Sequence, residues 1–219
     1  MTRKSTVTAV LLLVMLALSP MQAADAIQVG DAISLTWAPW NTGSSGGEFA
    51  VSYYGSKDTL FTTFCVEPYE YFYLGEKLIV QSIGTTIMYN GGSTEIPLNS
   101  LVAYLYHEFA HNSWNVPGIF DYGANRRNDD ALLQAAIWAL QFGTSDADAE
   151  GNKFIQYALL YSGSAHDGWS GTGDVAVMNL FSPTGGVRQD QLALVPEPIT
   201  LILLGAGLVG VAAFRRKIK

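Results

Sequence analysis

The sequence predicts an α+β domain, in which strands of a barrel-like or sandwich-like sheet come first and last and a helical subdomain is inserted between them. Residues 27–83 are rich in aromatic and β-branched residues, with glycine or proline between the runs. Residues 98–161 carry apolar side chains at helical spacing, and strand character returns at 174–195. Because strands and helices do not alternate along the chain, a parallel βαβ sheet is not expected.

The predicted strands are short and separated by turn residues. The sequence N-G-G at 90–92 is a strong turn signal between the strand-rich and helix-rich parts. Six strands are expected, at 27–37, 49–54, 60–66, 77–83, 174–181 and 191–195.

Three helices are predicted in the middle of the chain. The first covers 98–109 and places Leu98, Leu105 and Phe109 on one apolar face. For the second we expect Asp129 as the N-terminal cap, an apolar stripe at positions 133, 136, 137 and 140, and an end at Gly143. The third covers 152–161.

The N-terminal residues 1–26 have the pattern of a secretory signal peptide. Arg3 and Lys4 precede an apolar run at 10–18, and small residues follow, including Ala24 and Ala26. The mature chain is expected to begin near Ile27, so that residues 27–195 form the exported domain.

The C-terminal residues 196–219 form a second unusual segment. The sequence Pro196-Glu197-Pro198 is followed by an uncharged apolar stretch at 199–214 and by a basic tail that begins with Arg215 and Arg216. A helix over this stretch is shorter than the about 20 residues of a stable transmembrane helix. It is therefore predicted to be a short, temporary anchor whose basic tail stays in the cytoplasm.

This order of motif, short apolar helix and basic tail closely resembles the PEP-CTERM sorting signal of Gram-negative bacteria. The resemblance implies that an exosortase, a membrane protease-transpeptidase, processes the tail. It also implies a host that makes extracellular polysaccharide. The expected route is export, transient anchoring in the inner membrane, and release to the cell surface or the extracellular space.

The charge of the chain limits its partners. The whole sequence has a formal net charge of −7, and residues 27–195 alone carry six basic and 17 acidic residues, a net charge of −11. Nucleic acid is not an expected partner, because binding its phosphates requires clustered Lys and Arg.

Two polar residues stand out in otherwise apolar surroundings. Cys65 is the only cysteine, so an internal disulfide is excluded, and it lies at the end of a predicted strand. Gln134 lies in the first turns of the second helix, where a buried amide must find hydrogen-bond partners. Cys65 is either a small buried hydrophobe or a thiol facing the Gln134 carboxamide.

The segments around these two residues resemble the thioester domains of bacterial surface adhesins. The matching stretches are FCVE, which contains Cys65, and QAAIW, which begins at Gln134; Leu133 stands where a threonine commonly precedes the glutamine. The resemblance implies a Cys65–Gln134 thioester that captures an amine or hydroxyl of a polysaccharide or surface protein. Such a protein uses the bond once, is not an enzyme and needs no cofactor. Glu67, Tyr69 and His107 are candidate proton carriers.

Two alternatives remain open at this stage. His107, Glu108 and His111 fit H-E-x-x-H on a predicted helix, which is typical of a zinc peptidase with the glutamate as base. A third zinc ligand would have to be His166 or a distant carboxylate. The other alternative is a non-reactive structural protein of the extracellular matrix in which Cys65 is simply buried.

Overall fold

A computed structural model describes residues 27–41, 46–143, 151–163 and 169–195. The predicted signal peptide (1–26), the sorting segment (196–219) and His166 lie outside these residues. The described part contains a six-stranded antiparallel sheet and three helices, which confirms the α+β class. The strands of this sheet are β1 Ala32–Trp37, β2 Phe49–Tyr53, β3 Phe61–Thr63, β4 Leu78–Gly84, β7 Val175–Phe181 and β8 Val187–Leu194. Their order across the sheet is β3-β2-β1-β4-β7-β8.

The two edges of the sheet meet directly after β3. Residues 64–66 run beside residues 190–192 of β8, and we call this pairing the seam. Cys65 forms an antiparallel bridge with Gln191 there. The Leu192 N–H donates to the Phe64 carbonyl (3.1 Å), and the Val66 N–H donates to the Asp190 carbonyl (3.0 Å). The seam therefore holds Cys65 against β8, a strand that is distant from it in sequence.

A separate hairpin follows β4. It consists of β5 (Thr86–Tyr89) and β6 (Thr94–Pro97), joined by the predicted turn. Asn90 adopts a left-handed φ of 56°, and the two glycines after it also have positive φ. The sequence predicts the turn but not its strands, because each strand has only four residues and β6 is largely exposed.

All three predicted helices are present between β6 and β7, with shifted starts. They are α1 (Ser100–His111), α2 (Arg126–Phe142) and α3 (Lys153–Tyr161). The expectation that Asp129 caps α2 is wrong, because the helix begins three residues earlier. The Asp129 carboxylate instead accepts the Asp121 N–H (2.7 Å) and pairs with Lys153. The predicted end of α2 is confirmed, since Gly143 takes the left-handed conformation after Phe142.

Two apolar clusters meet at the seam. One lies between the helices and the sheet and includes Phe64 and Val66; the other lies on the opposite face of the sheet and includes Cys65. This division follows from the alternation of side chains along an extended segment. Trp138 of α2 packs against both clusters, so the middle of α2 lies directly over the seam.

Within the described ranges, no helix is long and apolar enough to cross a membrane.

Candidate functional site

Cys65 and Gln134 come together at the seam although 69 residues separate them in the sequence. Each is only 1% exposed. The Cys65 N–H donates to Gln134 Oε1 (3.0 Å), and Gln134 Nε2 donates to the Cys65 carbonyl (2.7 Å). The Gln134 carboxamide therefore lies against the main chain of Cys65 in one fixed orientation.

The Gln134 carbonyl oxygen has a second backbone donor. The Gly47 N–H, which belongs to the loop before β2, lies 3.3 Å from Oε1. The backbone approaches α2 so closely here that a Cβ on Gly46 would lie 2.8 Å from Gln134 Cγ and 2.7 Å from the Trp138 ring. Gly46 also has φ +88°, so both space and conformation require glycine.

A buried ion pair holds this glycine loop against α2. Arg126, the first residue of α2, donates to both carboxylate oxygens of Glu48, at 2.7 and 3.0 Å. Trp40 Nε1 also donates to Glu48 (2.6 Å), and its ring lies 3.6 Å from the Arg126 guanidinium carbon. Burial and the nearby Glu48 carboxylate raise the pKa of Asp130 to about 8. The pair positions Gly47 as a donor to Gln134.

The Cys65 sulfur lies between two glutamine side chains of β8. It donates to Gln189 Oε1 (3.0 Å) and accepts from Gln191 Nε2 (3.3 Å). Gln189 Nε2 donates in turn to the Glu67 carbonyl. Burial raises the pKa of the Cys65 thiol to about 12, despite the opposing hydrogen bond from Gln191. A free thiol at this position is neutral and shielded.

Glu67 is the candidate proton carrier that lies buried beside the seam. Its Oε1 accepts the Asp190 N–H (2.9 Å), while its Oε2 is buried without a hydrogen-bond partner. Burial, reinforced by the nearby Asp190 carboxyl, raises the pKa of Glu67 to about 9. The other two candidates lie elsewhere: Tyr69 is 57% exposed, and His107 faces Asp174.

An apolar cavity of about 420 Å³ opens next to Cys65. Its size lies within the usual range for small-ligand pockets, about 300–1,000 Å³. Half of its lining residues are aromatic, and Tyr71, which is 74% exposed, lies on its solvent side. The lining residues are Trp37, Gly46, Phe49, Cys65, Pro68, Tyr71, Phe72, Leu74, Trp138 and Gln189. A larger cavity, of about 560 Å³, lies between β3 and α1, and neither Cys65 nor Gln134 lines it.

The three residues of the H-E-x-x-H motif do not share one site. His107 Nδ1 lies 2.7 Å from one oxygen of Asp174, and His111 Nε2 lies 2.8 Å from the other. Burial opposes the negative charge of Asp174, but hydrogen bonds from the two histidines outweigh it and lower the pKa. Glu108 points into the core, where its carboxylate accepts from Ser113 Oγ (2.9 Å) and Tyr157 Oη (2.7 Å).

Several residues of these sites are absent from the sequence-based prediction. The glycine pair at 46–47 lies between the predicted strands 27–37 and 49–54, and Asp174 is the first residue of the predicted strand 174–181. The polar residues Gln189, Asp190 and Gln191 lie on β8. The predicted start of this strand, at residue 191, is four residues too late. Three consecutive polar residues within a strand are the signal that could have revealed a functional site, because polar groups that become buried need hydrogen-bond partners.

Comparison with protein families identifies one segment of the chain. Residues 194–217 match the PEP-CTERM protein-sorting motif. The corresponding comparisons with curated proteins and with solved structures returned no match. The motif match confirms the sorting-signal prediction. The protein is exported and processed by an exosortase, with a C-terminus anchored in the membrane before cleavage.

Proposed function

We propose that this exported protein forms an internal thioester between Cys65 and Gln134 and uses it once to attach covalently to a partner. The partner carries an amine or hydroxyl group, as extracellular polysaccharides and surface proteins do. One observation carries the proposal: the Gln134 carboxamide is held by reciprocal hydrogen bonds against the main chain of the single cysteine.

Thioester formation needs no reagent other than these two side chains. The Cys65 sulfur adds to the amide carbon of Gln134, and the bond between that carbon and Nε2 breaks. The S–H proton leaves with the amide nitrogen as ammonia, so atoms and charge balance. No electron acceptor takes part, since neither group is oxidised.

The surroundings of Gln134 lower the barrier to this step. Fixing the two groups together can supply about 7–11 kcal/mol of such a barrier. The N–H groups of Cys65 and Gly47 both point at Oε1, where negative charge develops when sulfur adds to the carbon.

Proton transfer must accompany the attack, because burial keeps the Cys65 thiol neutral. Gln189 Oε1 accepts the S–H hydrogen bond in the resting protein. The neutral carboxyl of Glu67 is a suitable proton carrier, as its Oε2 has no other partner.

The apolar cavity supports storage of the reactive bond. Its aromatic lining limits the access of water to the sulfur, and its solvent side beside Tyr71 admits a nucleophile carried on a larger partner. Attack leaves the partner joined to Gln134 through an amide or ester and restores the Cys65 thiol. Each molecule can react only once.

The test is mass spectrometry of the purified exported protein. A thioester lowers the intact mass by about 17 Da, the mass of the ammonia that is lost. Methylamine should then open the bond, which leaves a methylamide on Gln134 and one titratable thiol. Cys65→Ala and Gln134→Glu should each abolish both the mass deficit and the reaction with methylamine.

Gln156→Glu serves as the matched control, because this exposed glutamine of α3 lies away from the seam. It should keep the mass deficit. A wild-type protein with its full calculated mass, and with a thiol that titrates only after unfolding, would overturn the proposal. That outcome would favour the non-reactive matrix protein. The buried position of Glu108 lends no support to the zinc peptidase.

A further inference from the structure

We propose that His107, His111 and Asp174 form a binding site for one divalent transition-metal ion of the zinc type, which joins α1 to the start of β7. This site is separate from the Cys65–Gln134 contact and independent of the proposed thioester.

The geometry follows from the helical repeat and the sheet. His107 and His111 are four residues apart on α1, so their rings lie on the same face, with centroids 4.5 Å apart. Asp174 immediately precedes β7 and offers one oxygen to each ring, at 2.7 and 2.8 Å. One ligand atom from each residue lies within 4.8 Å of the others. Small side-chain rotations would place all three around one ion at about 2.0–2.2 Å.

The donor set selects the class of ion. Two imidazole nitrogens and one carboxylate are typical ligands of Zn²⁺ and related ions, which bind four ligands in a tetrahedral arrangement. Ca²⁺ and Mg²⁺ require more oxygen ligands than this cluster supplies. With three ligands from the protein, the fourth position is filled by water.

The surroundings keep the cluster both ordered and accessible. The Trp169 ring packs on His107 with centroids 4.9 Å apart, and its Nε1 donates to the Ser100 carbonyl (3.0 Å). These contacts restrict the rotation of the His107 ring. The side chains of His107, His111 and Asp174 are 27%, 42% and 21% exposed, so an ion can reach them from solvent.

The position of Glu108 determines what such an ion can do. A zinc peptidase needs this glutamate as a base beside the metal-bound water. Here the carboxylate is buried and bonded to Ser113 and Tyr157. The ion therefore links the inserted helices to the sheet and does not activate water through Glu108.

The experiment uses the purified exported protein without a polyhistidine tag, freed of metal by a chelator. Zinc is titrated by calorimetry, cobalt by its visible absorption, and thermal unfolding is followed with and without zinc. We expect one zinc ion per chain, the intense cobalt bands of a four-coordinate site, and a higher unfolding midpoint with zinc. His111→Ala and Asp174→Asn should lose all three effects at micromolar metal.

Two control variants keep the result interpretable. Asp58→Asn changes an exposed carboxylate, and Cys65→Ala removes the only thiol; both should bind zinc like the wild type. The proposal is overturned if no stoichiometric zinc binds, or if zinc still binds to both the His111→Ala and Asp174→Asn proteins. It is also overturned if zinc leaves the unfolding midpoint unchanged while these two substitutions lower it, since the cluster is then an ion pair only.

Discussion

At the scale of single residues, the surroundings of Cys65 account for a lone cysteine in an exported protein. An exposed free thiol outside the cell is open to oxidation, whereas this one is buried, neutral and bonded to Gln189 and Gln191. An acylated sulfur would have no proton to lose. Burial that suppresses the thiolate is thus compatible with a stored thioester.

The raised pKa of Glu67 predicts how the stability of the protein depends on pH. Its carboxyl keeps a proton in the folded protein up to pH about 9, whereas the same group in the unfolded chain loses it near 4.5. Between these values the folded state binds more protons, so the free energy of unfolding falls as pH rises, by up to about 1.4 kcal/mol per pH unit. Glu67→Gln should flatten this dependence and raise stability at pH 8 by on the order of 5 kcal/mol.

Denaturant unfolding at several pH values between 4.5 and 9 measures this effect. Asp190 contributes in the same direction, because burial raises its pKa to about 7, so some pH dependence should remain in the variant. Glu95→Gln, a change at an exposed position of β6, should leave the wild-type curve unaltered. Parallel curves for Glu67→Gln and the wild type would mean that Glu67 is ionised in the folded protein.

At the scale of secondary-structure elements, α2 shows which features of a helix are determined by its local sequence. The predicted stripe is borne out at Leu133, Ala136 and Ile137, which are fully buried, because helical periodicity identifies the face that packs on the core. The start was misplaced, because Asp129 has a tertiary role with Asp121 and Lys153. A capping residue type does not by itself locate a helix end.

Asn152 connects two helices and allows a test of their packing. Its side chain accepts the Phe154 N–H (2.9 Å) as the cap of α3, and its Nδ2 donates to the Leu132 carbonyl of α2 (2.7 Å). Asn152→Ala removes the cap and a buried hydrogen bond. The expected loss of unfolding free energy is about 2–4 kcal/mol, measured by denaturant unfolding.

Asn128→Ala is the control for this substitution, since Asn128 is an exposed asparagine in the first turn of α2. Its effect should stay within about 0.5 kcal/mol. Equal effects of the two substitutions would show that Asn152 does not join α3 to α2.

At the scale of the whole molecule, β8 connects the candidate site to the sorting segment. Gln189 and Gln191 of this strand contact the thiol, and the sorting motif begins at residue 194, where the strand ends. The matched motif therefore begins at the end of a strand that the seam holds in the sheet.

The last prediction concerns the role of the sorting motif in processing and release of the protein. Replacing Pro196, Glu197 and Pro198 together with alanine should remove the sequence that the exosortase recognises, so the protein should stay in the membrane fraction with its tail attached. Cell fractionation and the mass of the C-terminal peptide measure this outcome. Asp58→Asn is the control and should be processed normally. Release of the triple variant at the wild-type level would show that this motif is not the processing signal.

The sequence by itself determined the features that depend on order and periodicity along the chain. These are the α+β class, the three helices, the turn at 90–92 and the sorting motif, each specified by neighbouring residues. It also singled out Cys65 and Gln134 as unusual residues. Only the tertiary structure brought them into contact, added the Gly47 donor, turned Glu108 into the core and placed Asp174 beside two histidines. Those contacts join residues far apart in the chain, and their pairing depends on how the sheet and helices pack.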